Sequence, residues 1–148
     1  MKLLTDDMRM FFIHINDIEN GVASGTFMNP IQKKEIPFRN LSDLIAKIDG
    51  MLQDFQKHPR ENCSPHLEPY LNHPFFSKRS RHFFFIHIYY LEYGDWQGSV
   101  RYSGCKKAVL FRGILELLRV MCEVMELQGV PGILSSRYKR ATISLFKG

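Results

Sequence analysis

Four side chains between residues 56 and 81 are metal-ligand types: His58, Cys63, His66 and His73. Zinc would need them placed tetrahedrally. Their spacing fits no finger or ribbon, and four of the chain's seven prolines lie among them. They read as loop residues, and no metal or cofactor is expected. A second pair, His14 and His87, ends the same tetrad in two copies of the pentapeptide Phe-Phe-Ile-His-Ile. An imidazole pair can hold a metal or pass protons. A twofold arrangement of the copies would bring the two rings near each other, while the plainer reading makes each a strand residue beside an aromatic neighbour. No G-x-S-x-G, G-x-x-x-x-G-K-[ST], H-E-x-x-H or C-x-x-C occurs, and the carboxylates are scattered. No catalytic residue is assigned, and the chain reads as non-enzymatic.

Binding chemistry is more visible. Side chains alternate across a strand. With Phe11, Ile13, Ile15, Phe84, Ile86 and Ile88 facing a core, Phe12, His14, Phe85, His87 and Tyr89 face away, joined by Arg101. Aromatics beside a cation on a sheet face resemble the platforms on which single-stranded nucleic acid stacks. Three covers compete for that face: the proline-rich segment with Tyr70, Phe75 and Phe76 as anchors, the C-terminal tail, or a second copy of the chain in a symmetric homodimer. A dimer burying both histidines should weaken as they acquire charge. Arg39 and Arg112 each follow a phenylalanine just before a helix. They could bind an anion there, but pairing with a local carboxylate or carbonyl is the simpler expectation.

These residues are positioned by an internal repeat. Shifting the sequence by 73 positions pairs residues 11–44 with 84–117 and gives 13 identities in 34 positions without a gap. Each copy reads as strand, turn, strand and helix. Asn20-Gly21 and Tyr93-Gly94-Asp95 are the turn signals. Leu41, Leu44, Ile45, Ile48, Met51, Leu52 and Phe55 mark one apolar helical stripe, and Ile114, Leu115, Leu117, Leu118, Met121, Val124 and Met125 mark the other. Asn40 or Ser42 can cap the first helix. The fold class expected is α+β: a tandem ββα duplication forming a four-stranded antiparallel sheet with two helices on one face and a pseudo-twofold axis. The single domain of residues 1–148 divides into a first repeat (10–55), a proline-rich connection (56–81), a second repeat (82–128) and a tail (129–148). In the tail, Ala141 to Phe146 could form a short edge strand.

The 148 residues carry a net charge of +5, unevenly spread. Residues 1–57 hold seven Lys/Arg against eight Asp/Glu, whereas residues 58–148 hold 13 against seven. Lys106, Lys107, Arg137, Lys139 and Arg140 form a basic C-terminal group suited to an acidic partner. No apolar run reaches the ~18 residues of a membrane span. The start, MKLLTDDMRM, does not read as a secretory signal. Cys63, Cys105 and Cys122 are an odd set without motif spacing, which points to a reducing, cytoplasmic setting.

Asp95-Trp96-Gln97-Gly98, Phe111-Arg112 and Leu115-Glu116-Leu117-Leu118 resemble a "WQG…FR…LEL" pattern in small proteins of Clostridia and related gut Firmicutes. The likeness spans about residues 83–125. The first copy, with ASGTF, IPFRNLSDLI and KID, is similar to the N-terminal half of longer members. The resemblance implies a bacterial, intracellular protein and supplies no activity or catalytic residue. Gly113 stands where the pattern has serine, removing a helix cap. The reading is therefore a small interaction protein that binds a macromolecular partner, protein before nucleic acid, through its sheet face or basic half. Direct single-strand binding is the alternative. A ligand-binding protein or enzyme is the third reading and would need a deep pocket.

Overall fold

The computed structural model describes residues 4–57 and 72–126. Strands β1 (Met10–Glu19), β2 (Val22–Met28) and β3 (Ile36–Phe38) lead into helix α1 (Leu41–Lys57). Strands β4 (His82–Glu92), β5 (Asp95–Tyr102) and β6 (Val109–Phe111) lead into α2 (Ile114–Val124) in the same order. All six strands form one antiparallel sheet, ordered β3-β2-β1-β4-β5-β6.

The sheet is thus α+β as expected but has six strands rather than four. The additional edge strands are three residues each, too short to show a period of two. Pro37 lies within β3, where an edge strand tolerates its missing N–H. The expected tail strand lies outside the described residues, as do Tyr70, Cys63, His58 and His66.

β1 and β4 are the central pair. Phe12 lies opposite Phe85, with Phe11 opposite Ile86 and Ile13 opposite Phe84. The ladder is therefore symmetric about two residues that are 73 positions apart. Phe11, Ile13, Ile15, Phe84, Ile86 and Ile88 are all fully buried, as alternation predicts. They share one core with Leu44, Ile48 and Leu52 of α1 and Leu117, Val120 and Met121 of α2, so both helices lie on that face. Each such side chain contributes roughly 1.5–3 kcal/mol by leaving water.

The hairpins close through Asn20-Gly21 and Tyr93-Gly94, all four at positive φ, as a two-residue turn matched to strand twist requires. Each hairpin then bulges, between Ile15 and Asp17 in β1 and between Ile88 and Tyr90 in β4. Gly25 and Gly98 sit opposite these bulges. A Cβ on Gly25 would stand 1.8 Å from the His14 carbonyl oxygen, and one on Gly98 would stand 2.1 Å from that of His87. Only glycine lets the backbones approach so closely.

The helix starts are secured differently. Asn40 Oδ1 accepts the Asp43 amide at 2.7 Å, and Asp43 Oδ2 accepts the Arg39 amide at 3.0 Å. Arg39 also pairs with Asp43 at 3.7 Å, which favours the pairing role over an anion site. In the second half Gly113 offers no side chain, yet α2 is capped. Asp95 Oδ1, from the start of β5, accepts the Ile114 amide at 2.7 Å and the Trp96 amide at 2.9 Å. A Cβ on Gly113 would press to 2.8 Å from Asp95 Oδ2. The glycine makes room for a cap delivered from the sheet.

Candidate binding groove

The face opposite the helices carries Phe12, stacked on Phe85 with centroids 4.9 Å apart and planes at 28°. Cross-strand pairing places the rings together. The chain covers one side of this pair itself. Pro74–Ser77 forms a 3₁₀ turn whose first amides are met by His73, with Nδ1 accepting from the Phe75 amide at 3.1 Å. Phe75 is fully buried in a cluster with Phe12 and Met28, and Phe76 packs edge-on to Phe12 at 4.8 Å. Of the three covers expected, the proline-rich segment therefore occupies this half.

Polar contacts hold the cover down. His14 is 2% exposed. Its Nε2 donates to the Phe75 carbonyl at 2.6 Å, and Nδ1 meets Ser80 Oγ at 2.7 Å. A carbonyl only accepts, so Nε2 carries a proton, and the Ser80 hydroxyl beside Nδ1 donates onward to the His82 carbonyl at 3.0 Å. Lys78 donates to both oxygens of Glu35 at 2.6 Å, and Thr26 donates to the same carboxylate at 2.9 Å. The Lys78 contact holds the Glu35 carboxyl below its usual range.

His14 and His87 do not meet. They lie on the same face, two residues to either side of the Phe12–Phe85 pair and in opposite directions. That separates them by about 13 Å along the strands. The two rings form no pair, and each lies beside aromatic neighbours as the plainer reading expects, His14 against Phe75 and Phe83 and His87 against Tyr89; an interface burying both rings is blocked by the chain's own Phe75. His87 packs edge-on against Tyr89 at 4.7 Å. Its Nε2 is 3.4 Å from Asp6 Oδ1, a contact of ion-pair range that does not form a hydrogen bond. Tyr89 turns its hydroxyl to Ser99 Oγ at 2.9 Å.

On the other side of the aromatic pair the described residues leave a groove of about 590 Å³. It is floored by Phe12, Phe83, Phe85 and Met10, and walled by Arg101 and the turn from Tyr102 to Lys106. Arg101, opposite Phe85, and Lys106 are exposed. Of the residues expected on the face, Phe12, Phe85 and Arg101 line the groove, with Lys106 from the basic group. His14, His87 and Tyr89 do not line it. Lys107 is exposed beside it, and Arg137, Lys139 and Arg140 lie outside the described residues.

No protein-family model matches the chain, and neither a curated protein nor a solved structure does.

The groove's chemistry therefore rests on its own residues. Met10 and Phe83 were not foreseen, although the alternation that exposes Phe12 and Phe85 reaches both. Cys105 is half-buried at the wall, whereas burial among α2 residues pushes the Cys122 thiol up. At the wall, the Tyr102 hydroxyl meets His82 Nδ1 at 2.8 Å, and burial lowers the proton affinity of that imidazole. No group of three or more metal-ligating side chains converges among the described residues, and no helix among them is long and apolar enough to cross a membrane. The arrangement offers aromatic faces and two exposed cations, which is binding chemistry.

Proposed function

We propose that the chain is a non-enzymatic bacterial interaction protein, built by tandem duplication of a strand-strand-helix unit with a short edge strand added to each. It holds a macromolecular partner, protein before nucleic acid, in the groove over Phe12 and Phe85. One observation carries this reading. Among the described residues, an aromatic floor flanked by Arg101 and Lys106 lines a groove, while the chain closes the other side of the same floor with Phe75 and Phe76. Monomers seldom leave large apolar patches bare without use.

The test is capture by the tagged full chain in a bacterial lysate, comparing wild type with Arg101→Glu and with Phe85→Ala. Recovery of a partner should fall about tenfold for the charge reversal, equivalent to roughly 1.4 kcal/mol. Equal recovery by all three chains would overturn the reading.

Single-stranded nucleic acid is the second reading, favoured by the ring faces beside cations. Stacking on Phe85 would contribute about 1–3 kcal/mol per base, and salt would weaken the complex through counterion release. Tyr89 takes no part in this version, because its hydroxyl is engaged with Ser99 away from the groove. Fluorescence anisotropy of a labelled oligonucleotide at low salt decides it, with nuclease treatment as the control in the capture experiment.

A further inference from the structure

The chain's own cover shows what the open groove accepts. Phe75 packs with Phe12 and Met28 and lies 6.3 Å from Phe83, centroid to centroid. Moving 73 positions along the sequence converts Phe12 to Phe85, Met28 to Arg101 and, in the reverse direction, Phe83 to Met10. Phe85, Arg101 and Met10 all line the open groove. The groove thus shares these three positions with the counterpart of a half-site filled by a proline-initiated aromatic turn, while His87, which corresponds to the His14 that holds that turn, lies outside it.

The charges of the two half-sites differ. In the filled half the sheet side supplies the acid, Glu35, and the cover supplies the base, Lys78, at 2.6 Å. In the open half Ala108 stands at the position corresponding to Glu35. Arg101 replaces Met28 and adds a cation, while Lys106 at the rim repeats Lys33 of the filled half. An occupant of the same shape would find cations where the internal cover finds an acid. Charge complementarity disfavours the chain's own tail, which carries Arg137, Lys139 and Arg140, and a second copy's cover, which presents Lys78.

Resting on the groove reading above, we infer that the partner docks through an acidic, phenylalanine-bearing turn of a protein. One ring would stack on Phe85, and flanking carboxylates would meet Arg101 and Lys106. Two exposed cations beside a ring-sized apolar slot fit a side chain and its neighbours, in the manner of a hot spot with a polar rim.

The probe is a fluorescein-labelled peptide with the sequence Glu-Glu-His-Pro-Phe-Phe-Ser-Glu-Glu, titrated with the full chain and read by anisotropy. Saturable binding is expected, weakened about tenfold, or roughly 1.4 kcal/mol, by Arg101→Glu. It should also be abolished when the peptide's phenylalanines become alanine or its glutamates become lysine. Arg101 is exposed, so this variant should fold even if Phe85→Ala does not. Absence of binding, equal binding of the lysine peptide, indifference to Arg101→Glu, or binding of a poly-dT oligonucleotide in place of the peptide would each overturn the assignment. If the peptide fails while partner capture still depends on Arg101, the groove stands and its occupant has other chemistry. If capture is also indifferent to Arg101, the groove reading falls as well.

Discussion

Phe12 and Phe85 hold the same place in two halves of the sequence and lie directly opposite each other at the centre of the sheet, rings stacked 4.9 Å apart. The ladder runs symmetrically away from them, so the inner face receives Phe11, Ile13, Phe84 and Ile86 from both halves. The outer face receives the rings that floor the groove. Core and binding surface are two sides of one pairing register, because a one-residue slip would exchange them.

That register depends on Gly25 and Gly98. Gly98→Ala places a methyl group 2.1 Å from the His87 carbonyl oxygen, and Gly25→Ala places one 1.8 Å from that of His14. Backbone cannot yield as a side-chain tip can. Each variant should lose about 1–3 kcal/mol or more in urea denaturation. Gly50→Ala, with open space around the new Cβ, should gain stability from better helix propensity. Equal effects at the three sites would contradict the bulge geometry.

Phe111 is 2% exposed and lies opposite Gly98, where β6 leads into α2. Phe111→Ala should cost about 3–5 kcal/mol, much of the stability of an ordinary domain. Chemical denaturation showing less than about 1 kcal/mol would mean that the ring is not part of the core.

Asp95 is the cap of a helix 19 residues further along the chain. Asp95→Ala should lose about 0.5–2 kcal/mol, whereas Asp95→Asn, which keeps an acceptor oxygen, should lose less. Adding Gly113→Ser to Asp95→Ala should restore part of the loss by supplying a local cap. No rescue would show that the Asp95 contact acts through the hairpin and not through the helix start.

The part of this architecture visible in the sequence is the part that repeats over several residues. The two pentapeptides, the Asn20-Gly21 and Tyr93-Gly94 turns and both helical stripes each carry their own period or turn chemistry. Their inner and outer faces follow from alternation alone, and Phe38 and Phe111 announce themselves as a repeated pair. The short strands β3 and β6 do not, because three residues hold no period and Pro37 argues against one. Asp95 as a cap was hidden because its partner is distant in sequence, and Gly113 looked like a lost cap. The burial of His14 was equally hidden. It depends on where Phe75 and Ser80 return to the sheet, which no local pattern states.

Acid should weaken the fold through His82 before any carboxylate titrates. Burial, reinforced by the Arg81 charge, lowers its pKa from the ordinary 6.5, so the folded state favours the neutral ring. As pH falls below 6.5 the unfolded chain takes up the proton first, and stability declines until the depressed folded value is passed. Glu35 adds a second loss in more acid solution. Its stabilisation is complete above 4.5 and disappears as pH falls through its lowered folded value. Asp7 opposes it, since burial raises its pKa from 3.8 and its contribution favours the fold in acid. Melting temperature should therefore drop between pH 7.5 and pH 5.5, about a unit either side of the ordinary histidine value. His82→Gln should shrink that drop, and an identical pH profile in the variant would contradict the assignment.

The most direct test of the groove is contact at a chosen residue. A photo-crosslinking amino acid placed at Ser103, exposed on the groove wall, is compared with one at Leu110, exposed on edge strand β6 and not among the groove's lining residues. After irradiation in bacterial cells, position 103 should yield a discrete adduct with a second macromolecule that is lost when Phe85→Ala is added, and position 110 should yield none. Equal adducts from both positions, or none from position 103, would contradict the groove as the site of binding.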